Sequence, residues 1–297
     1  MVGATLEILR SGPLSTIQDL GRPGYAATGV GESGAADRGS LRLANRLVGN
    51  DENAAAIEAT LGGLELRAES AVTVAVTGAP CELTAGGCGQ AMNTLISLAA
   101  GATLRLGAAR RGLRSYVAVR GGIDVEPVLG SRSTDLLSGL GPAPLAPGVR
   151  LPVGPEPAIR PMEGRPSQRF DTDDLVLRVV PGPRDSWFAR SALTRLFTES
   201  YVVTSETNRI GVRLDGPALT RVRHGDLPSE GLVAGGLLVP PSGKPTLSLV
   251  NHPVLGDFPA IATVLSADLD KAAQARPGQH LRFVALDALA AQAARAA

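Results

Sequence analysis

Glycine and proline interrupt this chain so often that long helices have little room, with 36 glycines and 22 prolines in 297 residues. Glycine supplies the positive φ of tight turns, and proline fixes φ and removes a donor, so many short elements joined by turns are expected. Between these breaks lie short β-type runs at 5–10, 71–76, 95–98, 103–106 and 116–119. Others follow at 175–180, 201–204, 232–239, 246–250, 261–265 and 281–284. Short strands at this spacing predict a barrel or sandwich rather than a βαβ fold. The fold class expected is mainly β, with a few peripheral helices.

Four helical segments are expected besides. Leu41, Ala44, Asn45 and Val48 recur at helical spacing and stop at Gly49-Asn50. A short second helix is read through Ala54, Ala55 and Ile57. In the second half, Asp185 or Ser186 is placed to cap a helix whose buried face carries Phe188, Ala192, Leu193 and Leu196. The alanine-rich tail from Ala285 reads as a terminal helix. Proline and glycine with little periodicity after Pro155 mark a linker, giving domains at 1–155 and 174–297 with 156–173 between them.

Composition narrows the function. Hydrophobic residues make up 44%, enough for packed cores, and the formal charge is +1, so counterion release offers nothing to a nucleic-acid complex. No apolar run reaches the ~20 residues of a spanning helix, and the first ten residues carry Glu7 without an apolar stretch, so the expectation is a cytoplasmic protein without a membrane partner. Cys81 and Cys88 are read as small core residues. His224, His252 and His280 are too scattered to spell a ligand set, and no metal is expected. Gly31-Glu32-Ser33-Gly34-Ala35 lacks the last glycine of a nucleophile elbow. Ser242-Gly243-Lys244-Pro245 lacks both the upstream glycine and the hydroxyl of a phosphate loop, and is read as a β-turn.

The specific part of the sequence is Thr16-Ile17-Gln18-Asp19-Leu20-Gly21-Arg22-Pro23-Gly24-Tyr25, followed by Gly34-Ala35-Ala36-Asp37-Arg38. Leu43-Ala44-Asn45-Arg46-Leu47-Val48-Gly49-Asn50, Glu52-Asn53-Ala54-Ala55 and Glu58 come next. Polar side chains crowd a glycine-rich stretch, where backbone N–H groups can approach a ligand and arginine can grip a carboxylate with two hydrogen bonds. In one reading Arg22, Arg38 and Arg132 clamp a carboxylate or phosphate. Asp19 and Asp37 then orient the arginines or act as base, Gln18 and Asn45 offer amide hydrogen bonds, and Asp135 faces the same cleft. In the other reading these residues are a brace that pins a large loop.

These motifs, with Tyr116-Val117-Ala118-Val119-Arg120-Gly121-Gly122-Ile123-Asp124, Val128-Leu129-Gly130-Ser131-Arg132-Ser133-Thr134-Asp135 and Val180-Pro181-Gly182-Pro183, resemble the allophanate hydrolase subunit 2 family. Asn208-Arg209-Ile210-Gly211-Val212-Arg213-Leu214, Ser229-Glu230-Gly231 and Arg276-Pro277-Gly278 extend the resemblance over nearly the whole chain. That family takes in the C-type subunit of 5-oxoprolinase and the KipI antagonist, and is similar to the second half of the carboxyltransferase domain of urea carboxylase. The sequence departs from it at Val254-Leu255-Gly256-Asp257-Phe258-Pro259, where a Thr-Gly-Gly-Tyr-Pro type of segment is common, and Asn251 replaces an acid before His252-Pro253.

The resemblance implies two cyclophilin-like β-barrel domains. It also implies an allophanate hydrolase subunit 1-like (KipI-like) partner and a third subunit of the lactam-utilisation type. Together such proteins open 5-oxoproline to glutamate at the expense of ATP. Two alternatives accompany it: carboxyl transfer from biotin, carried by another protein, to a urea-like amide, and a non-enzymatic regulatory partnership with a KipI-like protein.

Overall fold

A computed structural model describes residues 3–162, 170, 174–223, 225 and 227–286. The chain divides into two compact units, one of Met1–Arg22 with Ser33–Phe170, the other of Pro23–Glu32 with Asp171–Ala297.

The first unit holds two antiparallel sheets around one core. One sheet runs in the order Arg150–Pro152, Thr5–Ser11, Leu64–Ala68, Thr103–Leu106, Leu83–Ala85, Cys88–Gln90. The other runs Leu14–Gln18, Ala56–Thr60, Arg114–Val119, Val72–Gly78, Leu95–Leu98. Strand residues alternate faces, so Leu6, Ile8, Leu64 and Leu66 of the first sheet meet Ile17, Ile57, Val74, Val76 and Val117 of the second. The second sheet is buried on its other face too. There Ala56, Ala75, Tyr116 and Ala118 receive Leu41, Ala44, Leu47 and Val48 of helix α1, Arg38–Val48.

This helix begins and ends where its residues require. Asp37 caps the start, one carboxylate oxygen accepting from the Ser40 N–H at 2.8 Å and the other from the Ser40 hydroxyl at 2.6 Å. Gly49 ends it at φ 73°, where an added Cβ would lie 2.6 Å from the Ile159 carbonyl oxygen. Arg120 closes the same end by donating to the carbonyls of Val48, Pro157 and Ile159.

The expected second helix does not form. Ile57 belongs to the strand Ala56–Thr60, which pairs with Leu14–Gln18 on one side and Arg114–Val119 on the other. Both faces are covered, Ile57 and Ala59 lying in one core and Ala56 in the other, so buried residues follow one another without alternation and imitate helical spacing over so short a run. Nor do both cysteines lie in the core. Cys88 is exposed, while Cys81 is half-buried with its thiol pushed up to about 11 by burial.

The second unit closes a seven-stranded barrel: Leu175–Pro181, Ala260–Val264, Gly236–Leu238, Thr246–Ser248, Gly211–Asp215, Tyr201–Val203, His280–Ala285. The closing seam is a parallel pairing of Leu175 to Val179 with Leu281 to Ala285, and the other neighbours are antiparallel. Leu177, Val212, Leu237, Leu247, Ile261 and Phe283 fill the interior. Helix α2, Arg190–Thr198, packs Ala192 and Leu196 against it. The cap expected from Asp185 or Ser186 is not made: these residues form a separate 3-10 turn, Asp185–Trp187, and α2 starts after Ala189 with no side-chain cap. A short helix α3, Leu269–Ala273, completes the unit. The mainly β fold with few helices is therefore as the sequence reads. Residues 240–246 make the expected turn, with Gly243 at φ 75° donating its N–H to the Pro240 carbonyl. Most of the expected terminal helix, and residues 163–169 and 171–173 of the expected linker, lie outside the described residues.

Candidate functional site

The polar loop after the strand Leu14–Gln18 is held by the segment 128–135. Thr134 donates its N–H to the Ile17 carbonyl, Asp19 donates its N–H to the Ser133 hydroxyl, and Gln18 donates to the Thr134 carbonyl at 3.1 Å. The Asp19 carboxylate, buried, accepts from the Gly21 N–H at 2.8 Å, the Ser131 hydroxyl at 2.6 Å and the Ser133 hydroxyl at 2.5 Å. Its other oxygen accepts from the Arg132 N–H at 2.6 Å. Four donors converge on one carboxylate, which fixes its orientation and occupies the lone pairs a base would use.

Arg22 enters the same network with a side chain wholly removed from solvent. Its Nη2 donates to the Ser133 carbonyl at 2.5 Å, its Nε to the Val128 carbonyl at 3.3 Å, and its Nη1 lies 4.0 Å from the Asp135 carboxylate. Asp135 in turn accepts from the Leu137 N–H and the Ser138 hydroxyl, tightening the turn that follows. Arg132 points elsewhere, donating to the Val125 carbonyl and the Asp124 carboxylate. The structure thus brings Gln18, Asp19, Arg22 and Asp135 into one buried cluster, to which Arg132 contributes its backbone.

Asp37 and Asn45 fall in two other networks. Besides capping α1, Asp37 donates its N–H to the Tyr116 hydroxyl at 2.8 Å, and that hydroxyl donates to Glu58 at 2.7 Å. Glu58 also accepts from the Ala36 N–H and lies 3.6 Å from the Arg114 guanidinium. Burial, then the charges of Glu58 and Asp37, hold the Tyr116 phenol well above its ordinary range, so it stays a donor. Asn45 donates to the Glu52 and Ala54 carbonyls and accepts from Asn50. Arg38 stands half-buried in the first turn of α1.

The backbone here is tightly constrained. Ser33 adopts φ 56° while fully buried, and Gly34 at φ 92° lies so close to Leu20 and Gly21 that an added Cβ would sit 2.8 Å from the Gly21 nitrogen.

The second unit carries a comparable arrangement of its own. Arg184 donates through Nε and Nη2 to both oxygens of Glu230, whose carboxyl is held below its usual range by that bond. Glu230 pairs across the ribbon Glu230–Gly231 and Leu255–Gly256 with the departing segment 254–258. Buried Arg209 donates to Asn251 at 2.9 Å.

Residues 28–285 match the family model described as carboxyltransferase domain, subdomain A and B. The chain belongs to this carboxyltransferase-domain family. Among the family's relatives, it is 38% identical to the C-type subunit of 5-oxoprolinase from Escherichia coli strain K12, over 94% of this chain and 90% of that protein. It is 33% identical to urea amidolyase of Saccharomyces cerevisiae, over 95% of this chain but 16% of the yeast protein. A solved structure of Kluyveromyces lactis urea carboxylase superposes with TM-score 0.93 at 30% identity, covering 98% of this chain and 28% of that one. The chain thus spans less than a third of the urea enzymes and nearly all of the bacterial subunit.

Within this family frame, the sequence points to the polar cluster and not to its partners. Ser131, Ser133, Tyr116 and Glu58 stand inside the quoted motifs with nothing to mark their role, and Arg114 lies in a strand where a polar side chain is hard to distinguish from an outward-facing one. The cue for the pair Arg184 and Glu230 is present in two motifs, Val180 to Pro183 and Ser229 to Gly231, that the fold joins.

Proposed function

We propose that this chain is the C-type subunit of an ATP-dependent lactam hydrolase that opens 5-oxoproline to glutamate. It acts in the cytoplasm with a subunit 1-like (KipI-like) partner and a lactam-utilisation-type third subunit. The observation that carries this reading is the match to the bacterial 5-oxoprolinase component along 90% of that protein's length. ATP serves as co-substrate of the complex, activating the lactam oxygen or a carboxylate. In this reading the loop bearing Asp19 and Arg22 supports the substrate site by fixing the backbone of residues 128–138, which carry Asp135. The buried side chains are positioning groups, while Arg38 and Arg132, the latter paired with Asp124, stand half-buried and closer to solvent.

The test is to co-express the chain with its genomic neighbours, isolate the complex and measure glutamate release from 5-oxoproline with and without ATP. Release by the complex, with none from the chain alone, is expected. No release from a complete, co-purified complex overturns the assignment.

A second reading, carboxyl transfer between carboxybiotin and a urea-like amide, is favoured by the family description and by the urea carboxylase structure. The 297 residues contain no Met-Lys-Met carrier motif, so biotin would arrive on a carrier outside them. Transfer of labelled carboxyl from a biotinylated carrier to urea, in the absence of any lactam activity, would replace the first reading with this one.

A further inference from the structure

In the second unit a cleft of about 440 Å³ is lined by Thr220, Arg221, Arg223, Ser242 and Gly243, with Ala218 and Leu219 behind them. Its lining is lopsided in charge, with two arginines and two hydroxyl residues and no acidic residue among the described residues that line it. Arg221 is only partly provided for. Its Nη2 donates to the Val239 carbonyl, while its Nε is buried without a hydrogen-bond partner among the described residues. Burial depresses its basicity, and the nearby Asp257 carboxylate offsets this only in part. A guanidinium in that condition lacks a full counter-charge, and leaving such a donor unmatched costs free energy. Arg223 is exposed at the same wall, and its backbone N–H donates to the Trp187 carbonyl.

The turn that closes the cleft is the segment Ser242-Gly243-Lys244, which fails as a phosphate loop on sequence grounds. Its Gly243 is required for a different reason. An added Cβ would stand 3.0 Å from the Ala218 Cβ, and the Gly243 carbonyl accepts from the Leu219 N–H. The turn is thereby pressed against the strand-to-loop segment that bears both arginines. The hydroxyl of Ser242 is held beside them.

We propose that this cleft binds a phosphoryl oxyanion between Arg221 and Arg223, with the hydroxyls of Thr220 and Ser242 donating to it. Arginine forks match phosphate oxygens two at a time, and the volume admits more than a single small carboxylate. The inference rests on the geometry of this unit and not on the reaction assigned to the complex. Free phosphate and the phosphates of a nucleotide share this chemistry.

The experiment titrates the full chain with inorganic phosphate, ATP and acetate at constant ionic strength, using calorimetry. Phosphate or ATP is expected to bind saturably, and Arg223→Glu, at an exposed position, is expected to weaken binding at least about tenfold with an unchanged circular dichroism spectrum. Arg221→Gln should weaken it comparably, and Arg105→Glu, an exposed charge of the first unit, should leave it unchanged. ATP binding tighter than phosphate identifies a nucleotide as the source, and equal affinities identify free phosphate. Absence of saturable binding, acetate binding as well as phosphate, or indifference to Arg223→Glu would each overturn the proposal.

Discussion

Substituting lysine at Arg22 separates the clamp from the brace, because it keeps the charge and removes the fork. The arginine serves two backbone carbonyls, of Ser133 and Val128, from a site closed to water, and faces Asp135 at 4.0 Å. One ammonium on a shorter reach satisfies one carbonyl at best, and the other is left buried without a donor. Leaving a buried polar group unmatched costs about 1–3 kcal/mol, and imperfect repacking beside Gly141, whose Cβ position lies 3.3 Å from Nη2, adds to it. A total of about 2–4 kcal/mol corresponds to a fall of about 4–16 °C in the melting temperature of a unit this size. Melting is followed by circular dichroism on the purified chain, and turnover of the assembled complex is measured below the transition. The brace predicts a lowered transition with turnover per folded molecule retained. A variant that melts within about 1 °C of the parent yet loses turnover would refute the brace and restore Arg22 as a substrate clamp.

Other outcomes follow from the same geometry. Asp268 is buried; burial raises its pKa, but the guanidinium and N–H of Arg178, with Lys271 nearby, outweigh this and hold it below the ordinary 3.8. Its contribution is therefore complete above about pH 4 and is lost as pH falls through the lowered folded value. Acid melts of the second unit should show this loss, and Asp268→Asn should abolish it while destabilising the unit at neutral pH. Tyr116→Phe removes the hydroxyl between the Asp37 N–H and Glu58, and urea unfolding should report a loss of about 1–3 kcal/mol. Gly34→Ala combines positive φ with a 2.8 Å clash and should destabilise well beyond Gly29→Ala, which has positive φ in open space; equal denaturation midpoints would contradict the close packing.

How far the sequence reveals this molecule depends on whether a residue's partner has a side-chain signature. The strands Leu95–Leu98 and Thr103–Leu106 announce themselves because one face is buried and the other wet. Ala56–Thr60 does not, because both its faces are covered, and Gly211–Asp215 is legible only as part of a motif. Gln18, Asp19 and Arg22 stand out as costly to bury. Their depth, and the carbonyls of Val128, Ser133 and Thr134 that receive them, depend on a segment more than a hundred residues away. Backbone acceptors leave no mark in a sequence. Asp37, read from the sequence as an orienting group or base, instead caps α1, although an acidic residue just before a periodic apolar run is the usual sign of a helix start.

The parallel seam of the second unit has a consequence for biosynthesis. Leu175 to Val179 pairs with Leu281 to Ala285, so the unit's earliest barrel strand waits for its latest. Loop closure grows more costly only slowly with length, but the contact cannot begin to form until the later segment has left the ribosome. Until then Leu175–Pro181 and Tyr201–Val203 each present an unpaired edge, the kind that recruits strands from other chains. Yield in cells should therefore be governed by how quickly residues 281–285 arrive, and a ribosomal pause just upstream of them should favour aggregation of an otherwise stable protein.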